Sequence, residues 1–332
     1  MRNRSYDESD ARIRAPRNKP RRSKDRPDYS DAPIAFVTTV DRGRITCLSE
    51  AGVEITAMKA RELGKNSVVV GDSIRLSGDV SGNPGTLARA VEVVPRRNSL
   101  ARTVDDVGAF EKIVAANVDQ LVIVVAAADP EPRHGFVDRC LVVAYDQGIS
   151  PILVVTKCDL SNPAEFISAY DGLELTTFKS SLPKSNRPNE PLISELRAKL
   201  TGKKSVLIGH SGVGKSTLFN ALLGSDARQT GDVNIATGRG RHTSSSAYAL
   251  PLSSGGWLID TPGVRSFGLE HVDRSRVIGA FEELGDVITR CPKKCSHNEP
   301  TCALNDISES SAAGKRVAGL RRILASSSQP II

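Results

Sequence analysis

The chain has 332 residues, 39% of them hydrophobic, and carries a net charge of +7, which leaves room for about two or three domains with real cores. No run of roughly 18 uncharged apolar residues occurs, so no segment reads as a membrane span. The N-terminus lacks the apolar stretch and cleavage site of a secretory signal. A cytoplasmic protein with no membrane partner is expected, acting as a monomer.

Residues 1–28 hold ten Arg/Lys against five Asp/Glu and few large apolar side chains. Such a segment cannot bury enough surface to offset chain entropy. Residues 1–32 therefore read as a disordered basic tail, suited to a polyanion through counterion release or simply to solubility.

Five β-type runs follow, at Ile34–Val40, Arg44–Ser49, Val53–Met58, Ser67–Leu76 and Leu87–Val94, separated by turn residues such as Asp41–Gly43 and Gly71–Asp72. Closely spaced short strands predict a small barrel over 33–97. An OB-type RNA-binding fold and an SH3-like barrel both fit. Phe36 is the main aromatic available for base stacking, and Pro95-Arg96-Arg97 reads as a linker.

From about residue 98 to 272 the texture is that of a parallel α/β domain. Val118–Ala127 contains a continuous apolar run, the mark of a strand buried on both faces. Residues 134–147 read as a helix, Pro151–Val155 as a strand, 190–200 as a helix, Lys204–Ile208 as a strand, Ser216–Leu223 as a helix and Gly255–Asp260 as a strand.

Gly209-His210-Ser211-Gly212-Val213-Gly214-Lys215-Ser216 fits G-x-x-x-x-G-K-[ST], between a strand and a helix. Its backbone N–H groups would cradle phosphates, joined by the helix N-terminus. Lys215 would reach the β- and γ-phosphates, Ser216 would bind Mg²⁺, and Thr217 would lie beside the phosphates. Asp260-Thr-Pro-Gly263 ends another buried strand. Asp260 would hold the Mg²⁺ shell, and the Gly263 N–H would meet the γ-phosphate.

Thr156-Lys157-Cys-Asp159 follows the strand Pro151–Val155. A carboxylate at Asp159 accepts the N1–H and 2-amino donors of guanine, which adenine lacks. Lys157 would lie along the base. Thr156 stands where Asn is commoner, and its hydroxyl offers fewer hydrogen bonds to hold the loop. Ser180 and Ser181 complete the candidate nucleotide set. The base reader thus precedes the phosphate loop, the reverse of the usual GTPase order, as a circular permutation would produce.

The segment 273–332 carries helical spacing at Val277, Ile278, Phe281, Leu284 and Ile288. A last helix is expected near 312–325, with Lys315 and Arg322 opposite its apolar face. Between them, Cys291, Cys295, His297 and Cys302 supply three thiolates and an imidazole, a closed tetrahedral zinc set of structural type.

Together, Ala115–Gln120, Thr156–Asp159, Gly209–Ser216, Gly238–Thr243, Asp260–Gly263 and the Cys/His cluster resemble the circularly permuted, ribosome-small-subunit-dependent GTPases (RsgA, also called YjeQ), over about residues 33–325. The chain departs from the family at Thr156, at two shortened gaps in the metal cluster, and at Ser244 and Ser245 in place of threonines. The resemblance implies an OB domain, a permuted GTPase domain and a zinc-bearing helical domain. It also implies GTP/GDP, Mg²⁺ and one structural Zn²⁺ as cofactors, with the 30S subunit and its 16S rRNA as partners late in subunit maturation. Val264 stands where many GTPases place a water-orienting Gln, so hydrolysis should depend on outside help. Residues 225–246 occupy the position of a switch loop. In it, Thr243 would contact Mg²⁺ and the γ-phosphate, and His242 would orient water. Arg239 and Arg241 suit RNA contact or loop ordering. Two other classes fit parts of the pattern: a P-loop kinase or ATPase acting on a small molecule, and an RNA scaffold using GTP as a structural ligand.

Overall fold

The computed structural model describes residues 28–64, 68–103, 111–173, 175–181, 190–224, 247–261, 267–269 and 271–327. Two compact units are distinguished, Met1–Asp31 and Ala32–Ile332. In the first, the described residues 28–31 make a turn in which Ser30 N–H donates to the Asp28 carboxylate. The basic tail lies otherwise outside the described residues, as does the switch segment 225–246.

The second unit opens with strands β1 (Ile34–Asp41), β2 (Arg44–Ser49), β3 (Glu54–Lys59), β4 (Ser73–Gly78) and β5 (Ala88–Val93). Their order is β1-β2-β3-β5-β4, with β4 returning to β1 and β3 parallel to β5. That closed order is the OB arrangement and removes the SH3-like alternative. Period-2 alternation sends Val37, Ile45, Cys47, Ile55, Ala57, Ile74 and Leu76 into the barrel core. The fourth strand begins later than its apolar run suggested. Gly71, at φ +91°, and Asp72 turn the chain first, and Val70 leaves the barrel to bridge to Ala115.

The strands β6 (Ser99–Thr103) and β7 (Glu111–Ala116) form a hairpin that the sequence reading missed. Next come β8 (Gln120–Ala126), α1 (His134–Asp146), β9 (Ser150–Thr156), α2 (Ala164–Ser168), β10 (Thr176–Lys179), α3 (Glu190–Leu200), β11 (Lys204–Ile208), α4 (Lys215–Leu223), β12 (Tyr248–Pro251) and β13 (Trp257–Asp260). All seven residues of β8 are buried. Leu121, Ile123 and Val125 enter one core and Val122, Val124 and Ala126 the other, as alternation in a doubly covered strand requires.

The sheet runs β10-β9-β8-β11-β13-β12 and then continues into the barrel, since β12 pairs with β1 through Tyr248 and Thr39. A register shift in β1 between Val37 and Thr39 bends the strand toward that neighbour. The barrel and the α/β sheet are thus hydrogen-bonded edge to edge.

Two sequence expectations fail at this junction. Pro95-Arg96-Arg97 is not a loose linker. Arg96 grips Asp72 with Nε–Oδ1 at 2.7 Å and a second bond to Oδ2 at 2.8 Å, and Asp72 is 0% exposed. Arg97 pairs with Asp119 at 2.6 Å. Phe36 is not a stacking platform either. It packs on Trp257 at 4.6 Å, with the Lys204 ammonium 4.9 Å from its ring centre. The Ala115–Gln120 motif completes the joint. Ala116 N–H donates to Val70 O, Asn117 Nδ2 to Gly71 O, and Asn98 bonds both the N–H and the carbonyl of Val118. No side chain is tolerated at Gly71, where a Cβ would meet Ala116 O at 2.1 Å.

The C-terminal elements are α5 (Arg274–Gly279), α6 (Gly285–Ile288) and α7 (Ala312–Ser326). The apolar spacing over 277–288 thus yields two short helices, separated by the 3₁₀ turn Glu282–Leu284. Phe281, Leu284, Val317, Leu320 and Ile323 share one core with Phe136 and Leu141 of α1. Arg322, expected opposite the apolar face of this helix, donates to Asp138 of α1 at 2.8 Å and stacks on Tyr170 at 4.7 Å. Among the described residues, no helix is long and apolar enough to cross a membrane.

Candidate functional site

The topology switches between β8 and β11: from β8 the chain steps outward through β9 to β10 on one side, whereas after β11 it passes to the outer β12 and returns to β13 on the other. Ligands of open parallel sheets bind beyond the strand C-termini at such a point. Residues 209–214 lie there, between β11 and α4. Gly214 caps α4 at φ +87°, a left-handed conformation that turns successive N–H groups toward one centre. Gly209 is held by close approach, since a Cβ would lie 2.5 Å from Val124 O. Val213 is buried, whereas Ser211 and Gly212 are exposed. His210 rests its ring on Phe136 of α1 at 4.3 Å.

Lys215 and Ser216 open α4 and Thr217 follows. Lys215 Nζ is ion-paired with Asp260 Oδ1, both side chains being largely buried. The parallel pairing Leu207↔Asp260 brings them together. The other carboxylate oxygen, Oδ2, accepts from the phenol of Tyr248 at 3.2 Å. Burial, followed by the Asp260 charge, pushes that phenol well above its ordinary value, so it remains a donor. Sequence reasoning missed Tyr248, because only strand pairing places it opposite Asp260.

The Thr156-to-Asp159 segment leaves β9 beside this loop. Thr156 is 4% exposed, with Oγ1 2.6 Å from Val213 O and 3.1 Å from Val125 O. Its single proton serves one carbonyl at a time, and the shorter contact is to the phosphate loop. The hydroxyl, expected to offer fewer hydrogen bonds than an amide, lies within reach of two carbonyls here. Lys157, at φ +56°, donates to the Asp129 carbonyl across the β8–α1 loop. Asp159 is exposed. Ser180, at the end of β10, is buried and brackets the same turn, its N–H donating to Val155 O and its carbonyl accepting from Cys158 N–H. Ser181 is exposed beside it. The structure thus gathers Thr156, Lys157, Asp159, Ser180, Ser181, residues 209–217 and Asp260 at one end of the sheet. His242, Thr243 and Gly263 lie outside the described residues, as do Val264, Arg239 and Arg241.

The donor types here fit magnesium: a carboxylate, Asp260, at the end of β13, a serine hydroxyl, Ser216, in the first turn of α4, and a lysine, Lys215, that compensates the carboxylate charge. The second cluster fits zinc. The ligand atoms of Cys291, Cys295, His297 and Cys302 all lie within 4.8 Å of one another. Cys291 and Cys302 sulfurs are 3.8 Å apart, and His297 Nδ1 is 3.7 and 3.9 Å from them. A tetrahedral zinc with Zn–S bonds of about 2.3 Å separates its sulfurs by about 3.8 Å. Burial, then the charge of Arg274, with a further contribution from Arg321, holds His297 below the ordinary imidazole value, in the neutral form that ligates metal. Arg321 also donates to the His297 carbonyl, which fixes the loop from α7.

A phosphate loop at the switch point, preceded in the chain by the Thr156-to-Asp159 turn, has the motif order of a circularly permuted P-loop GTPase. The family model for the RsgA GTPase matches residues 93–270. A curated relative from Pseudomonas aeruginosa, named "Small ribosomal subunit biogenesis GTPase RsgA", is 41% identical over 74% of this chain and 73% of its own length. A relative of the same name from Shewanella oneidensis is 38% identical over 72% and 68%. The chain belongs to the RsgA GTPase family. Among solved structures, YjeQ from Thermotoga maritima aligns with a TM-score of 0.58 at 25% identity, over 88% of this chain and 98% of that one. YloQ, titled a circularly permuted GTPase, aligns with a TM-score of 0.60 at 20% identity, over 92% and 99%, and so supports the fold.

Proposed function

We propose that this protein is a GTP hydrolase that binds the 30S ribosomal subunit and turns over GTP in a subunit-stimulated manner, late in small-subunit maturation. The observation that carries the reading is the convergence of Asp159, the phosphate loop and Asp260 at one switch point, in a chain whose relatives bear the name of a small-subunit biogenesis GTPase. The same reading makes the protein a cytoplasmic monomer, divided into a tail (1–32), barrel (33–97), GTPase domain (98–272) and zinc-binding helical domain (273–332).

In this reading Asp159 selects guanine and Lys157 covers the base, while Thr156, Ser180 and Ser181 hold the turn around it. The N–H groups of residues 210–216 receive the phosphates. Lys215 exchanges its pairing with Asp260 for the β- and γ-phosphates, and the Asp260 oxygen so vacated would, with Ser216 and Thr243, hold the magnesium shell. Bound magnesium supplies charge neutralisation of the phosphates. Gly263 N–H meets the γ-phosphate. His242 orients the attacking water, a task Val264 cannot perform. Because Val264 supplies no water-orienting group, fast hydrolysis awaits the partner.

The 16S rRNA is the natural surface for the exposed basic residues. On the barrel, Arg44 and Arg89 flank exposed Met58 on adjacent strands, and Arg290, Lys293 and Lys294 are exposed around the zinc loop. Such contacts read phosphate rather than sequence. The ATPase or kinase reading lacks a second purine reader in the sequence. The test is a competition of GDP and ADP for the protein, with pelleting on 30S subunits in each nucleotide state. Guanine preference and nucleotide-dependent pelleting support the proposal, and equal purine affinities or no pelleting would refute it.

A further inference from the structure

We propose that Tyr248 is a positioning residue for the Asp260 carboxylate, fixing the oxygen that faces the phosphate loop. The proposal rests on the reading of Asp260 as the magnesium carboxylate. Tyr248 and Asp260 are direct partners across the β12–β13 ladder, and the phenol donates to Oδ2 at 3.2 Å. The ring itself is held. Its residue is 9% exposed, and Phe219 of α4 meets it edge-on at 5.8 Å and 80°.

The two partners of Asp260 differ in permanence. Lys215 must leave Oδ1 when phosphates arrive. Tyr248 has no such alternative, so it keeps the carboxylate plane fixed while Oδ1 is vacated. A carboxylate held by one oxygen presents the other in a single direction; a carboxylate released from both rotates. Outer partners of this kind typically account for about 10–100-fold in metal affinity. Tyr248 also pairs with Thr39 of the barrel. The ladder holding the phenol is therefore backed by the barrel.

The test follows release of a fluorescent N-methylanthraniloyl-GDP while Mg²⁺ is titrated, using the full chain. Tyr248→Phe removes only the hydroxyl. The expected result is an approximately 10-fold rise in the Mg²⁺ concentration that half-maximally slows release, with release in excess EDTA unchanged. An unchanged half-saturating concentration overturns the proposal. Asp260→Ala separates the premise from the inference. If it keeps the wild-type Mg²⁺ response, the magnesium reading of Asp260 fails, and the proposal with it; if it loses the response while Tyr248→Phe does not, only Tyr248 is refuted. Should Tyr248→Phe not fold, 3-fluorotyrosine at position 248 gives a ¹⁹F resonance that should shift when Mg²⁺ is added to the GDP complex, and a resonance indifferent to Mg²⁺ overturns the proposal.

Discussion

The hydroxyl of Thr156 lies 2.6 Å from the carbonyl oxygen of Val213, so the strand end that carries Asp159, the proposed guanine reader, is stitched to the phosphate loop. Thr156→Val keeps the volume and removes the donor. It leaves a buried carbonyl short of a partner, at about 1–3 kcal/mol. GDP affinity should fall by about tenfold, which corresponds to about 1.4 kcal/mol, and thermal stability should decline. Calorimetric titration with GDP checks this. Affinity equal to wild type would show that the two loops are held by other means.

A second prediction concerns Arg322 and Asp138, joined at 2.8 Å with side chains 27% and 9% exposed. Arg322→Ala strands a nearly buried carboxylate. Breaking a fully buried pair costs several kcal/mol; with a quarter of the arginine exposed, about 2 kcal/mol is expected. Arg322→Lys should not restore it, because the guanidinium also stacks on Tyr170. Urea unfolding of the three proteins measures the difference, and full rescue by lysine would contradict the stacked geometry.

Much of this arrangement was legible in the sequence, and the missing parts have one cause. Strands β8, β9 and β11 are apolar enough to announce burial on both faces, and the phosphate loop is a local pattern. Other features depend on partners far along the chain. Arg96 reads as linker until Asp72 turns inward beneath it. Phe36 reads as a stacking surface until Trp257 covers it. Tyr248 belongs to β12, a four-residue strand ending in Pro251, too short for periodicity to detect. The apolar repeat over 277–288 predicts continuous helix, and the chain breaks it after Gly279 and again before Gly285.

Zinc provides a third test. The four ligands join a loop between α6 and α7, where Cys302 and His297 are buried and Arg321 holds the backbone. Purified protein should contain one zinc per chain by plasma emission spectroscopy. Chelation or Cys302→Ser should lower the unfolding temperature of the α7 region while GDP still binds. Substoichiometric zinc with unchanged stability would argue against a structural metal.

His242 provides a fourth. On the proposed reading it orients the attacking water when the subunit stimulates hydrolysis. His242→Ala should therefore lower subunit-stimulated turnover by about 10²-fold or more while GTP affinity changes little. Equal stimulated rates in variant and wild type would remove His242 from the mechanism.

The central claim is a guanine-selective switch that depends on a ribosomal partner. Its most direct measurement is phosphate release from GTP and from ATP, each with and without purified 30S subunits. Slow GTP hydrolysis alone, strong stimulation by 30S and negligible ATP turnover in both conditions are predicted. ATP turnover matching that of GTP, or GTP hydrolysis indifferent to 30S subunits, would contradict it.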